Sequence, residues 1–506
     1  MSAVLVTGAV VLFLAFTYRA ASRALIRLAL VAVPSLLITS YLTVPLLMKR
    51  EYLNQTPYLE PWKYSSFGFV RVLRTLLDGN LLDGGRLPGI TIVLILGLAW
   101  AIAKRTAEAR LALALFALWL MLLFGPLTWA GLTDLLPLHH MLLFHRFTGG
   151  VDLGAILLVG LGGEWLLSRF YRLHEPWRTL PPTLLIALLM LPALLERSQY
   201  YKVNTLWMEQ ARDALAADKD LPLVLAKLRN LPPGRTYVGL RSNWGKTLSW
   251  GYLHFYDLMP FEGIDAVSSP YYAFSLNSDL IWGFDDHNPE QYKLFNVRYV
   301  IAPSTLPMPV FLKTLFKTGR YALYQFDSGG YAQIAGVTMA RTIAGQSELL
   351  SANQDWMKDH NAGAGGFAAY SYRGGAPDPA LITGPAGSID SVVKELGVTP
   401  QSIEMSVTNT KLTTLILKIT YHPDWHVSVD GREQRTFMVT PSFIGVQLQP
   451  GEHQVRAEYR SSMLKNALLV LGFCTLFAAV VLRHSVSRTV HRIEALLLKP
   501  RDEAMS

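Results

Sequence analysis

Four carboxylates, Glu51, Glu60, Asp78 and Asp83, fall within residues 49–88, a stretch between apolar runs. A carboxylate placed there can take a proton from an attacking hydroxyl. Asp78 and Asp83 lie in "LLDGNLLDGGRLP", where Asp-Gly pairs also read as turn formers. A second such stretch, "TDLLPLHHMLLFHRFTGG", carries His139, His140, His145 and Arg146. Cations at a membrane interface suit a lipid phosphate, which arginine holds through two parallel hydrogen bonds. His140 and His145 are also half of a metal site, or polar points on an interfacial amphipathic helix.

Two further groups have metal-ligand chemistry. "YHPDWHVSVDG" sets His422, Asp424 and His426 two residues apart, which on a strand places all three on one face. Pro423 interrupts that face and favours a strand entry, with Trp425 and Val427 turned to a core and Asp430-Gly431 making a tight turn. "WGFDDHNPEQ" gathers Asp285, Asp286 and His287. There Asn288, Pro289 and Glu290 also read as N-cap, first position and first turn of a helix. The aromatic density of residues 246–275 suits either a carbohydrate site or a core.

The elements that position these groups are mostly apolar. Hydrophobic residues make up 51% and charged residues 16%, with mean hydropathy +0.27. Soluble proteins carry about 25% charged residues, so the chain reads as a membrane protein. Its net charge of +9 is scattered around apolar runs, without a basic stripe interleaved with aromatics, which sets nucleic acid aside. The one cysteine, Cys474, excludes an intramolecular disulfide and a Cys-based zinc site. The chain also lacks a glycine-rich phosphate loop, a nucleophile elbow and a His-Glu-x-x-His motif.

Apolar stretches of spanning length fall near 2–17, 28–48, 88–103, 110–130, 151–168, 179–195 and 463–482. About seven spans put four groups of basic residues on one side: Arg19, Arg23 and Arg27; Lys104, Arg105 and Arg110; Arg169, Arg172 and Arg178; and the tail after 483. The positive-inside rule makes that side cytoplasmic. The stretch 49–86, itself basic, goes against the majority. The expected organisation is a membrane domain over 1–196 and an extracytoplasmic α/β domain over 197–356. A glycine-rich linker over 357–400 follows, then a small β-sandwich over 401–460, a last span over 461–483 and a basic cytoplasmic tail over 484–506. Within it, 203–230 reads as helix by its apolar spacing. "LPPGRTYVGL", "YKLFNVRYVIAP" and "YALYQFDSGGYAQI" contain strands.

"ITYHPDWHVSVDGRE" followed by "GVQLQPGEHQVRAEYR" resembles the C-terminal β-domain of bacterial YfhO-like multispan membrane proteins, and of the group labelled pyruvoyl-tetrahydropterin-synthase-related. "YKLFNVRYVIAP" resembles a strand entry of the same families. The resemblance covers roughly 200–482 and implies kinship with GT-C glycosyltransferases. It implies transfer of a sugar from a polyprenyl-phosphate-linked donor to an envelope glycan or lipid outside the cytoplasmic membrane, among membrane lipids. No soluble cofactor is implied, and a divalent metal ion is left open. Asp78, Asp83 and Glu60 are then the candidate bases, and His140, His145 and Arg146 the donor-phosphate ligands. Such enzymes place a catalytic acid in an early outer loop, and here only three residues precede the first apolar run. The expectation is therefore a match to the C-terminal part of a full enzyme, with a partner chain supplying the missing spans. The alternative is a non-catalytic envelope-assembly or glycan-binding or lipid-binding protein.

Overall fold

The computed structural model describes residues 18–54, 62–104, 106–136, 139, 142–170, 174, 177, 180–267, 275–359, 366–373, 375–384 and 391–482. The expected span near 2–17, the tail over 484–506, Glu60 and His140 lie outside these. The chain divides into two compact units. One holds residues to Tyr41, 57–204 and from Ala467; the other holds Leu42–Thr56 and Thr205–Asn466.

The first unit is helical. Five helical segments are long and apolar enough to cross a membrane: Val31–Met48, Ala107–Phe124, Phe144–Phe170, Leu180–Ala217 and Met463–Val481. Gly89–Lys104 is apolar but shorter. This supports the polytopic reading without reaching seven spans among the described residues. Gly89–Lys104 and Thr148–Phe170 approach backbone to backbone at Gly97 and Gly162. A Cβ on Gly97 would lie 1.8 Å from the Leu158 carbonyl, and one on Gly162 would lie 2.2 Å from the Val93 carbonyl. Small residues permit this approach where lipid offers no hydrophobic drive to association.

The boundary at 196–197 is corrected. Leu180–Ala217 is one helix of 38 residues, with Pro192 inside it. At 1.5 Å per residue it is about 57 Å long, far beyond the roughly 30 Å of a hydrocarbon core. Polar residues after 195 end the apolar run, but they are good helix formers and leave the helix unbroken. The helix expected over 203–230 is thus the end of this one plus Asp220–Arg229.

The second unit begins with a four-stranded sheet in the order Arg235–Tyr237, Val297–Pro303, Tyr321–Gln325, Lys313–Lys317; its first pair is parallel and the others antiparallel. Leu221, Val224, Leu225 and Leu228, spaced three and four apart, pack the helix Asp220–Arg229 into one core with Tyr299, Ile301, Tyr321 and Leu323 of that sheet.

The β-sandwich is larger than expected. Its five-stranded sheet runs Ser391–Thr399, Ser402–Asn409, Gly451–Tyr459, Trp425–Val429, Arg432–Gln434. Its six-stranded sheet runs Ala332–Ala335, Thr413–Thr420, Phe443–Leu448, Phe437–Val439, Phe367–Tyr372, Val337–Ile343. Among the described residues of the expected 357–400 linker, Phe367–Tyr372 and Ser391–Thr399 are strands of these sheets. Phe367–Tyr372 is an inner strand, parallel to Val337–Ile343 and antiparallel to Phe437–Val439, with Phe367, Ala368, Ala369 and Tyr370 buried. Covered on both faces, it lacks the alternation that marks a half-buried strand.

Lys418, on the strand Thr413–Thr420, is 2% exposed. Its amine donates to the carbonyls of Lys293 (2.7 Å) and Ser328 (3.0 Å). Burial, aided by Arg235, brings its pKa down to about 7 against the pull of Glu395 and Asp327. Between pH 7 and pH 10 the unfolded chain keeps a proton that the folded chain gives up, so stability rises with pH in that window. Relative to Lys418→Met, the wild type should gain up to about 4 kcal/mol across it. Thermal unfolding of both full chains at several pH values checks this, and parallel curves would contradict it.

Candidate functional site

The stretch after residue 61 folds as short helices separated by backbone reversals. Trp62–Ser65 is followed by Ser66 and Gly68, both at positive φ (60° and 75°), and then by the helix Phe69–Leu77. Val72 and Leu76 bury one side of that helix. Arg71 and Arg74, one turn apart, stay exposed.

Asp78 ends this helix, half-exposed, with its carboxylate 3.7 Å from Arg74 Nε. It lines an open cleft of about 580 Å³ together with Phe67, Arg71, Arg74, Thr75 and Thr128. Phe67 stacks on Trp62 (5.6 Å between ring centres) and carries the Arg71 guanidinium 5.2 Å from its own centre. His145 meets the same Trp62 edge-on at 5.1 Å and donates from Nδ1 to the Lys63 carbonyl (2.9 Å). The cleft and His145 thus flank one Trp62–Phe67 pair. Arg146 is exposed on the turn Phe144–Phe147. The cleft combines a carboxylate, two guanidinium groups and aromatic rings, which can accept a proton, attract an anion and stack against a sugar.

Asp83 has a different place. It is 2% exposed. One oxygen accepts from Ile90 N (3.0 Å), the other from Thr91 N (3.0 Å) and Thr91 Oγ1 (2.6 Å). It satisfies N–H groups at the start of Gly89–Lys104, which a helix leaves unpaired. Trp62, Phe67, Arg71 and Arg74 are the residues that the sequence reading missed. The signal was the pair of arginines three apart in "FVRVLRTLL", on one face of a short amphipathic helix.

The histidines of "YHPDWHVSVDG" do not converge. His426 points away from the core and pairs with Glu433, while Val427 and Val429 are buried. His422 precedes the strand, with Nδ1 3.2 Å from the Asp424 N–H. Burial lowers its pKa and nearby Lys49 adds to this, although Asp424 opposes them. Trp425 packs against the sandwich core, and Asp430 and Gly431 both take positive φ in a tight turn. Asp285, Asp286 and His287 bring ligand atoms within 4.8 Å of one another. Asp286 nevertheless accepts from Trp244 Nε1 (2.8 Å) and His287 Nδ1 (2.8 Å), and Asn288 caps the helix Pro289–Leu294 through the Glu290 N–H (3.0 Å). The helix start accounts for Asn288, Pro289 and Glu290, and the Asp286 carboxylate is taken up by Trp244 and His287.

Residues 389–471 match the family model described as bacterial membrane protein YfhO. No curated protein and no solved structure matches the chain. The matched stretch takes in the strands Ser391–Thr399 to Gly451–Tyr459 and the start of Met463–Val481. Over it the chain is YfhO-like, and its apolar helices make it a membrane-embedded protein.

Proposed function

We propose that this protein is a GT-C-type glycosyltransferase of the cytoplasmic membrane. It transfers a sugar from a polyprenyl-phosphate-linked donor to an envelope glycan or lipid, with the second unit on the periplasmic or exterior side. The observation that carries this reading is the cleft that joins Asp78 to Arg71 and Arg74 beside the Trp62–Phe67 pair. Asp78 takes the proton of the acceptor hydroxyl as that oxygen bonds to the anomeric carbon. The bond from that carbon to the phosphate oxygen breaks, and polyprenyl phosphate leaves with the electron pair. Arg74, His145 and Arg146 offset the charge that gathers on the phosphate. A donor held in the bilayer accounts for the apolar helices, and the chemistry calls for no nucleotide.

Proteoliposomes containing the full chain, supplied with labelled polyprenyl-phosphate sugars and envelope acceptors, test this. Label should move to the acceptor only when the chain is present. Donor that binds without being consumed would favour the non-catalytic, assembly reading. Transfer that appears only after a second membrane chain is added would identify a partner supplying further spans.

A further inference from the structure

Residues 49–53, which open the first outer loop, are gripped by three separate elements of the second unit. Lys49 Nζ forms an ion pair with Asp424, and the Glu51 carboxylate with Arg373. The Glu51 carbonyl accepts from Tyr372 Oη (2.9 Å) and Gln346 Nε2 (3.0 Å), and Gln346 also reaches the Leu53 carbonyl. The Tyr52 ring lies among Tyr372, Tyr421 and His422, with centres 5.9, 6.0 and 5.5 Å away. Burial pushes the hydroxyls of Tyr52 and Tyr372 up to about 12.

The receiving surface is stiff. Pro423 restricts the turn, Trp425 N–H donates to the His422 carbonyl (3.0 Å), and the Asp424 carbonyl takes the Arg460 N–H (2.9 Å). Asp424 is 15% exposed at its side chain, so losing Lys49 leaves a largely buried charge without its counterion.

We infer that the Tyr421–Asp424 turn, Tyr372 and Arg373 form a docking clamp for the entry of the first outer loop, with Lys49 and Tyr52 as the positioning residues it holds. "YHPDWH" is on this account the receptor for a segment more than three hundred residues upstream. The clamp stands on its own contacts.

The test is tryptic cleavage after Arg50 in membrane vesicles holding the full chain, followed by mass spectrometry. Tyr52→Ala and Asp424→Lys should each speed that cleavage about tenfold, while Tyr52→Phe, which keeps the ring, should not. Combining Lys49→Glu with Asp424→Lys restores the opposite charges and should return cleavage toward the wild-type rate. Unchanged cleavage in Tyr52→Ala and Asp424→Lys, with thermal unfolding showing the second unit folded, would overturn the clamp. So would failure of the charge swap to rescue. If cleavage responds while Asp78→Asn leaves sugar transfer intact, the clamp holds and the catalytic reading falls.

Discussion

Asp78→Asn is expected to lower sugar transfer by about 10²–10⁴-fold, the span that a positioned general base contributes. The protein should keep its fold, because Asp78 is half-exposed and its ion pair among the described residues is with Arg74 at 3.7 Å. An exposed pair of that kind contributes at most about 1 kcal/mol. Asp83→Ala should behave in the opposite way. It leaves the N–H groups of Ile90 and Thr91 without their acceptor at the start of a packed helix, at a cost of about 2–4 kcal/mol. Transfer per folded molecule should then persist while the yield of folded protein drops. Asp78→Asn and Asp83→Ala, assayed side by side for transfer and for thermal unfolding in detergent, separate base from cap. Full transfer by folded Asp78→Asn would remove Asp78 from the chemistry.

The two aspartates show what the sequence reveals and what it hides. Both sit before glycine in the same loop, and composition treats them alike. What distinguishes them is tertiary: Gly84 and Gly85 at positive φ fold the chain back so that Asp83 reaches the helix that follows. The five spanning-length helices among the described residues and the packed face of Asp220–Arg229 were legible because long apolar runs and three- and four-residue spacing are local signals. The start of the sandwich was not, since Ala332–Ala335 pairs with Thr413–Thr420 far along the chain and Val337–Ile343 pairs in parallel with Phe367–Tyr372 across a helix. "YHPDWHVSVDG" was legible as strand entry, core strand and turn. Its grip on Lys49 and Tyr52 was not, because nothing near either segment in the sequence signals the other.

The largest effect on stability is expected at Asp218, which no sequence motif singles out. It ends the long helix Leu180–Ala217, and its side chain is 4% exposed. One oxygen accepts from the N–H groups of Asp220 and Leu221 (3.1 and 3.0 Å), which starts the next helix. The other accepts from Trp250 Nε1 (2.7 Å), Arg320 Nη1 (2.6 Å) and the Tyr321 hydroxyl, joining helix, hairpin and sheet. Burial works against the charge, but the bonds from Tyr321, Trp250 and Leu221, with Arg320, outweigh it and hold the carboxyl below its ordinary range. A carboxyl whose folded pKa is depressed contributes stability in full above its unfolded value near 4, and loses it as pH falls through the folded value. Asp218→Ala strands the buried Trp250 and Tyr321 donors together with a guanidinium, which costs about 3–5 kcal/mol. In a unit of this size that lowers the melting temperature by about 10 °C. The gap between wild type and variant should hold constant from pH 7 to pH 5 and narrow only below pH 4, read by Trp fluorescence during thermal unfolding. A gap that closes already near pH 6 would mean that another group, such as a histidine, governs this junction.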